Sequence, residues 1–258
     1  MRNYLILIRL KIFISSAQRC KFLGVIFNFI MKKIFLVSIL LFAACQRPNY
    51  TQIGTPFTPN YKLDKFESSI KGFEKQDSIQ MPKEDGVVLA GSSSFLFWKT
   101  ASQDLAPLPI INRAFGGSTL PEVEFYAART ILKYKPKTIL IYCENDMFIG
   151  QEKSPAQVRD AYVRITKIIR DKLPKTQIYF VGLKPSPSRW KRWADSQEAN
   201  RLIQYFIKTD KRHAYIDVSE VMLKDGKPDP SIFLSDSLHM NTEGYRRWTN
   251  VIKPILTK

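Results

Sequence analysis

Val87-Val88-Leu89-Ala90-Gly91-Ser92-Ser93-Ser94 is a short apolar run closed by a glycine and three serines. Four apolar residues are too few for a helix and suit a strand buried on both faces, with the glycine marking the turn that leaves it. The pattern recurs downstream, and residues 109–112, 138–142, 177–183 and 215–218 read as four more strands. Helical spacing fills the intervals. Val123, Ala127, Ile131 and Tyr134 share one face, as do Val158, Tyr162, Ile165 and Ile169, and 200–207 and 245–252 are further helix segments. Ahead of the first strand, Leu63, Phe66, Ile70 and Phe73 also fall at helical spacing. Doubly buried strands alternating with helices predict a five-stranded parallel sheet in a three-layer α/β/α domain.

The N-terminus belongs outside this domain. Met31-Lys32-Lys33, the apolar run from Ile34 to Phe42 and then Ala43-Ala44-Cys45 have the three parts of a secretory signal, and the run is too short to cross a bilayer. The segment resembles a bacterial lipoprotein signal, which implies lipidation of Cys45; Gln46 then suggests outer-membrane sorting. Met31 is the expected start, with 1–30 an upstream extension, so that 1–44 is removed. Residues 45–60, with Pro48, Pro56 and Pro59 and no periodicity, read as a tether. Residues 61–258 form the folded domain.

Removing 1–44 takes away seven basic residues and no acid, so 40 Lys and Arg fall to 33 against 23 Asp and Glu, and the charge falls from +17 to +10. The remaining lysines are scattered without an arginine and aromatic platform, which argues for a solvated basic surface and against a nucleic-acid partner. Membrane contact is expected through the lipid alone. Cys143 is the one cysteine left in the domain, so no internal disulfide forms, and no His/Cys cluster has metal spacing. Chemistry without metal or cofactor is the expectation.

His239 is one of two histidines and follows Asp236 by three positions. A carboxylate so placed can hold the ring Nδ1–H and leave Nε2 free to take a proton from a nucleophile. Three other segments end predicted strands and offer partners: Gly91 to Ser94, Asn112 to Ser118, and Glu144-Asn145-Asp146. In an open α/β sheet these ends share the rim where ligands bind. Each segment also has a plainer reading. Gly-Ser-Ser-Ser suits a turn and N-cap, Gly116-Gly117 a flexible loop, Asn145 an Asx-turn, and Asn241 with Thr242 a helix cap. Ser92, Ser93 and Ser94 are chemically equivalent at this level. His213 has no acid at a comparable offset and reads as a solvated surface residue.

From about Leu63 to Ile255 the chain resembles the SGNH (GDSL-type) hydrolases, a flavodoxin-like family of esterases and acyl hydrolases. Gly91-Ser92-Ser93 falls on the family's Gly-Asp-Ser, Gly117 on the second-block glycine, Asn145 on the Asn of Gly-x-Asn-Asp, and Asp236 with His239 on Asp-x-x-His. The resemblance implies a Ser93, His239 and Asp236 triad, with an oxyanion hole from the backbone N–H of Ser93 and Gly117 and the amide of Asn145. It implies a serine esterase acting on small acyl esters, acetyl included, of carbohydrate or lipid. The other reading is a surface lipoprotein of the same fold that binds glycan or envelope components without turnover. Two positions depart from the family: Ser92 replaces Asp, and Cys143 replaces Gly, which would strain the backbone if positive φ were needed and mildly favours the binder. Cys143 is also a rival nucleophile on paper. Arg189 and Trp190, in the loop after the fourth strand, are candidate contacts for an acyl or sugar group, with packing of a stable loop as an equal reading. Phe95 and Phe97 read as core, and Trp98 is open between core and pocket.

Overall fold

In the computed structural model, residues 62–148 and 153–258 are described. The signal, Cys45 and the tether lie outside them. Among the described residues no helix is long and apolar enough to cross a membrane.

The chain runs α1 (Glu67–Ile79), β1 (Val87–Gly91), the one-turn α2 (Ser93–Leu96), α3 (Ala101–Asp104) and β2 (Ile110–Asn112). The short α4 (Leu120–Phe125) and α5 (Ala127–Thr130) lead into β3 (Thr138–Tyr142), followed by α6 (Pro155–Lys172) and β4 (Gln177–Val181). Then come α7 (Trp193–Ile207), β5 (His213–Ile216), the small hairpin β6 (Leu223–Lys224) and β7 (Lys227–Pro228), and α8 (Thr242–Leu256). The main sheet is parallel with order β2-β1-β3-β4-β5.

Strand alternation divides the core in two. Val88, Ala90, Ile139, Ile141, Ile178 and Phe180 face a layer built from α1, α4 to α7. Val87, Leu89, Leu140, Tyr142, Val181 and Ile216 face Phe95, Trp98, Tyr245 and Trp248 of α2 and α8 and the turn between α2 and α3. This is the three-layer arrangement expected from five doubly buried strands. In the second layer Trp98 stacks on Tyr245 at 5.6 Å between ring centroids and meets Trp248 edge-on at 6.2 Å, so Trp98 is core.

Three local expectations differ. The face of Val123, Ala127, Ile131 and Tyr134 is fully buried, yet the helix is broken into α4, α5 and a 3₁₀ turn. The Thr130 hydroxyl bonds back to the Tyr126 carbonyl at 2.9 Å, and such back-bonding loosens a helix. Strand β5 lies two residues earlier than its apolar pattern suggests, because Ile178 pairs with His213. His213 is accordingly not a surface residue: it is buried beside Tyr162 and Phe206, and burial pushes its imidazole down to about 4.

The first helix is tied to the domain by charge as well as by apolar contact. Asp77, buried, accepts from Arg113 at 2.6 Å and from the Tyr134 hydroxyl at 2.6 Å, and it pairs with Lys133. Burial alone would raise its carboxyl, but these partners outweigh it and hold the pKa below 3.8. Asp77→Ala leaves the buried Arg113 without its carboxylate and should cost about 3 kcal/mol in urea unfolding. Because the native carboxyl is depressed, its contribution is full above 3.8 and lost as pH falls below it. The gap between wild type and variant should therefore narrow in acid.

Candidate active site

The order β2-β1-β3-β4-β5 places a topological switch between β1 and β3, where ligands gather outside the carboxyl ends of the strands. Gly91, at φ +138°, ends β1 so close to β3 that a Cβ would lie 1.8 Å from the Tyr142 carbonyl oxygen. Only glycine fits. The next residue, Ser92, donates its N–H to that same carbonyl at 3.0 Å and stands before α2, so Ser93 opens the helical turn at the rim.

Of the three serines, Ser93 alone meets the imidazole: its Oγ lies 3.0 Å from His239 Nε2. Ser92 and Ser94 are buried. On its other side the His239 ring places Nδ1 2.6 Å from Asp236 Oδ2. Asp236 Oδ1 accepts the backbone N–H of both Leu238 and His239 at 2.9 Å, in a turn that Ser237 closes at φ +57°. Burial raises the Asp236 carboxyl, but the His239 ring and these amides outweigh it and bring it down to about 2. It is thus a carboxylate at any ordinary pH, which fixes Nδ1 as the protonated nitrogen and leaves Nε2 able to accept from a hydroxyl. Phe97 packs edge-on against the ring at 4.8 Å and is 43% exposed, so it borders the site and is not core. Just downstream, Asn241 caps α8 by accepting from Glu243 and Gly244; the plainer reading of this turn holds alongside its place at the rim.

Ser118 fastens the other segments together. Its Oγ donates to the Gly91 carbonyl at 2.9 Å, and its own carbonyl accepts from Asn145 Nδ2 at 3.0 Å and from the Cys143 thiol at 3.0 Å. Gly116 runs beside the serine, since a Cβ on it would lie 3.8 Å from Ser93 Cβ, and Gly117 turns at φ +82°. The ends of β1 and β3 and the loop after β2 therefore meet at one place. Asp146 secures the same loop from below: it accepts the Leu120 N–H at 2.7 Å and pairs with the buried Lys153 at 3.1 Å.

Cys143 causes no backbone strain, because its φ is negative and its side chain is absorbed by Ser118. Burial pushes its thiol well up, and the second histidine, His213, lies at the opposite end of the sheet, paired with the first residues of β4. A buried neutral thiol with no base is a poor nucleophile. The residue that mildly favoured a non-catalytic binder is thus accommodated.

Sequence reasoning missed one cluster. Glu144, fully enclosed, pairs with Lys184 at 3.1 Å, with Arg189 at 2.8 Å and with the Tyr142 hydroxyl. Burial raises its carboxyl, but Lys184 and Arg189 outweigh it and the net shift is downward. Arg189 also donates to Asn145 Oδ1 at 3.0 Å, so the guanidinium is engaged with the protein's own groups. The signal present in the sequence was an acid after β3 and two cations, Lys184 and Arg189, in one proline-rich loop. Trp190 stacks on Trp193 and lines a groove of about 590 Å³ with Pro187, Lys224, Lys227 and Pro228. This groove adjoins the histidine turn, because Ser188 donates its N–H to the Ser237 carbonyl at 3.1 Å. Among the described residues no group of His, Cys, Asp and Glu has the geometry to hold a metal.

The fold is shared with solved structures of low identity. A Streptococcus pneumonia protein provisionally assigned as a platelet activating factor aligns with TM-score 0.65 at 16% identity, covering 75% of this chain and 94% of its own. A GDSL-like lipase from Bacteroides thetaiotaomicron gives 0.62 at 16%, covering 76% and 98%. A carbohydrate esterase family 3 protein from Talaromyces cellulolyticus gives 0.54 at 14%, covering 67% and 96%. Among curated proteins none matches the sequence significantly. The model of the GDSL-like Lipase/Acylhydrolase family matches residues 84–247, well over half of the chain, and the protein belongs to that family.

Proposed function

We propose that this protein is a serine ester hydrolase that cleaves small acyl esters, acetyl among them, carried by carbohydrate or lipid. The observation that carries the reading is the continuous contact from Asp236 through His239 to the Ser93 hydroxyl at 2.6 and 3.0 Å. Family membership supports ester hydrolysis, and the carbohydrate esterase among the structural neighbours supports a sugar ester as one substrate class.

Ser93 Oγ attacks the ester carbonyl carbon as its proton passes to His239 Nε2, and the carbonyl oxygen takes the negative charge. The backbone N–H of Ser93 and Gly117 and the Asn145 amide are the proposed donors to that oxygen, each such donor being worth about 3 kcal/mol. Collapse breaks the bond to the alcohol oxygen, which takes the proton from His239 and leaves acyl-Ser93. Water then repeats the sequence, giving its proton to His239 and its oxygen to the acyl carbon. Collapse of the second intermediate returns the proton to Ser93 Oγ and releases the acid. Asp236 stays ionised throughout and stabilises the imidazolium. Trp190 is proposed to face the alcohol portion across its groove. Lipidation at Cys45 and anchoring to the cell envelope complete the proposal.

Labelling with a fluorophosphonate tests it. The probe should attach to Ser93, found by peptide mapping, and the labelled protein should no longer hydrolyse p-nitrophenyl acetate. An adduct elsewhere overturns Ser93 as the nucleophile, and none overturns the reading in favour of a binding protein.

A further inference from the structure

Asn145 presents a carboxamide whose two ends are chemically distinct, and its neighbours leave one orientation. The Ser118 carbonyl can only accept, and it takes Nδ2; the Arg189 guanidinium can only donate, and it takes Oδ1. Turning the amide over would set oxygen against oxygen and nitrogen against nitrogen. Arg189 is in turn held on three sides. Its Nη1 pairs with Glu144 at 2.8 Å, its guanidinium lies 4.4 Å over the Phe148 ring, and its backbone belongs to the 3₁₀ turn Pro187–Arg192.

We propose that Arg189 is a positioning residue for the reaction proposed above, on which this inference rests. It holds the Asn145 amide with Nδ2 toward the reacting oxygen and, by drawing charge onto Oδ1, strengthens the N–H that remains after Ser118 is served. A cation bonded to one end of an amide polarises the other, and hydrogen bonds in such a chain reinforce one another. The cluster also carries a net positive charge, since the Glu144 carboxylate faces both Lys184 and Arg189. Arg189 thereby acts through Asn145 and needs no contact with substrate.

Glu144 keeps Lys184 as a fully buried partner when Arg189 is removed, so variants at 189 should fold. Arg189→Ala should lower kcat for p-nitrophenyl acetate by about 10- to 100-fold, a fraction of what loss of a whole donor costs, with KM changed less than about threefold. Arg189→Lys, which keeps the charge but cannot bridge Glu144 and Asn145 with two forks, should fall between, and added guanidinium should restore kcat in Arg189→Ala. In an Asn145→Ala background, Arg189→Ala should have no further effect. Fluorophosphonate labelling of Ser93 should slow in parallel, because the tetrahedral adduct uses the same donors. An unchanged kcat, a loss confined to KM, or an equal loss with and without Asn145 overturns the inference. If unmodified protein is not labelled at Ser93, the proposed reaction itself is refuted, and this inference with it. Labelling at equal rates in wild type and Arg189→Ala refutes the inference alone.

Discussion

Ser93→Ala should reduce kcat for p-nitrophenyl acetate by at least about 10,000-fold while leaving the thermal midpoint within a degree or two. In a serine hydrolase the hydroxyl is the atom that bonds to the acyl carbon, so nothing replaces it. At about 1.4 kcal/mol per decade the loss is roughly 5.5 kcal/mol of transition-state stabilisation. The fold should be indifferent, because Ser93 contributes one side-chain bond, to the partly exposed His239. Its backbone role at the start of α2 is available to alanine. Stopped-flow release of p-nitrophenol gives the rate, and a wild-type burst matching the protein concentration gives the covalent step. A variant that keeps more than about a tenth of the activity would show that the 3.0 Å contact is not the reacting one.

Gly91→Ala should be the most damaging single methyl in the domain, costing more than about 4 kcal/mol, a loss reserved for a few named mechanisms of which backbone collision is one. A Cβ there would stand 1.8 Å from the Tyr142 oxygen and 2.7 Å from its carbonyl carbon, and φ of +138° is foreign to L side chains. Neither neighbour can give way, for Tyr142 pairs with Gly91 in the β1–β3 ladder and its carbonyl accepts from Ser92. With total stability of about 5–15 kcal/mol, the variant should accumulate in the insoluble fraction. Any soluble remainder should unfold at much lower urea. Gly226, at φ +73° in open space, is the control: its alanine variant carries the strain of positive φ without a collision.

The alternation of apolar runs made the sheet legible, since strands buried on both faces cannot hide among polar residues. The break between α4 and α5 was not legible, because a threonine bonding to its own helix leaves the apolar period intact. His213 misled for a related reason: Asp210, Lys211 and Arg212 beside it are polar, whereas Phe206, which packs on it, lies across the turn that ends α7, and Tyr162 is remote in sequence. Around the site, the rim segments could be read from strand ends and the Asp236 to His239 spacing. What distinguished Ser93 from Ser92 and Ser94 was direction, which a run of identical residues does not encode. Ser118 and the Glu144 cluster stayed hidden because their contacts join positions about 25 to 45 apart and carry no motif.

The bond from Ser188 to Ser237 joins two excursions of chain that leave the sheet at different points. By the chemistry proposed, a departing alcohol is protonated by His239, beside this junction and outside the strands of the main sheet. Substitutions at this junction can retune which alcohol is accepted while the hydroxyl, anchored through Gly91 and Tyr142, keeps its aim. On the proposed reading, selectivity and reactivity would be mounted on separate parts of the scaffold.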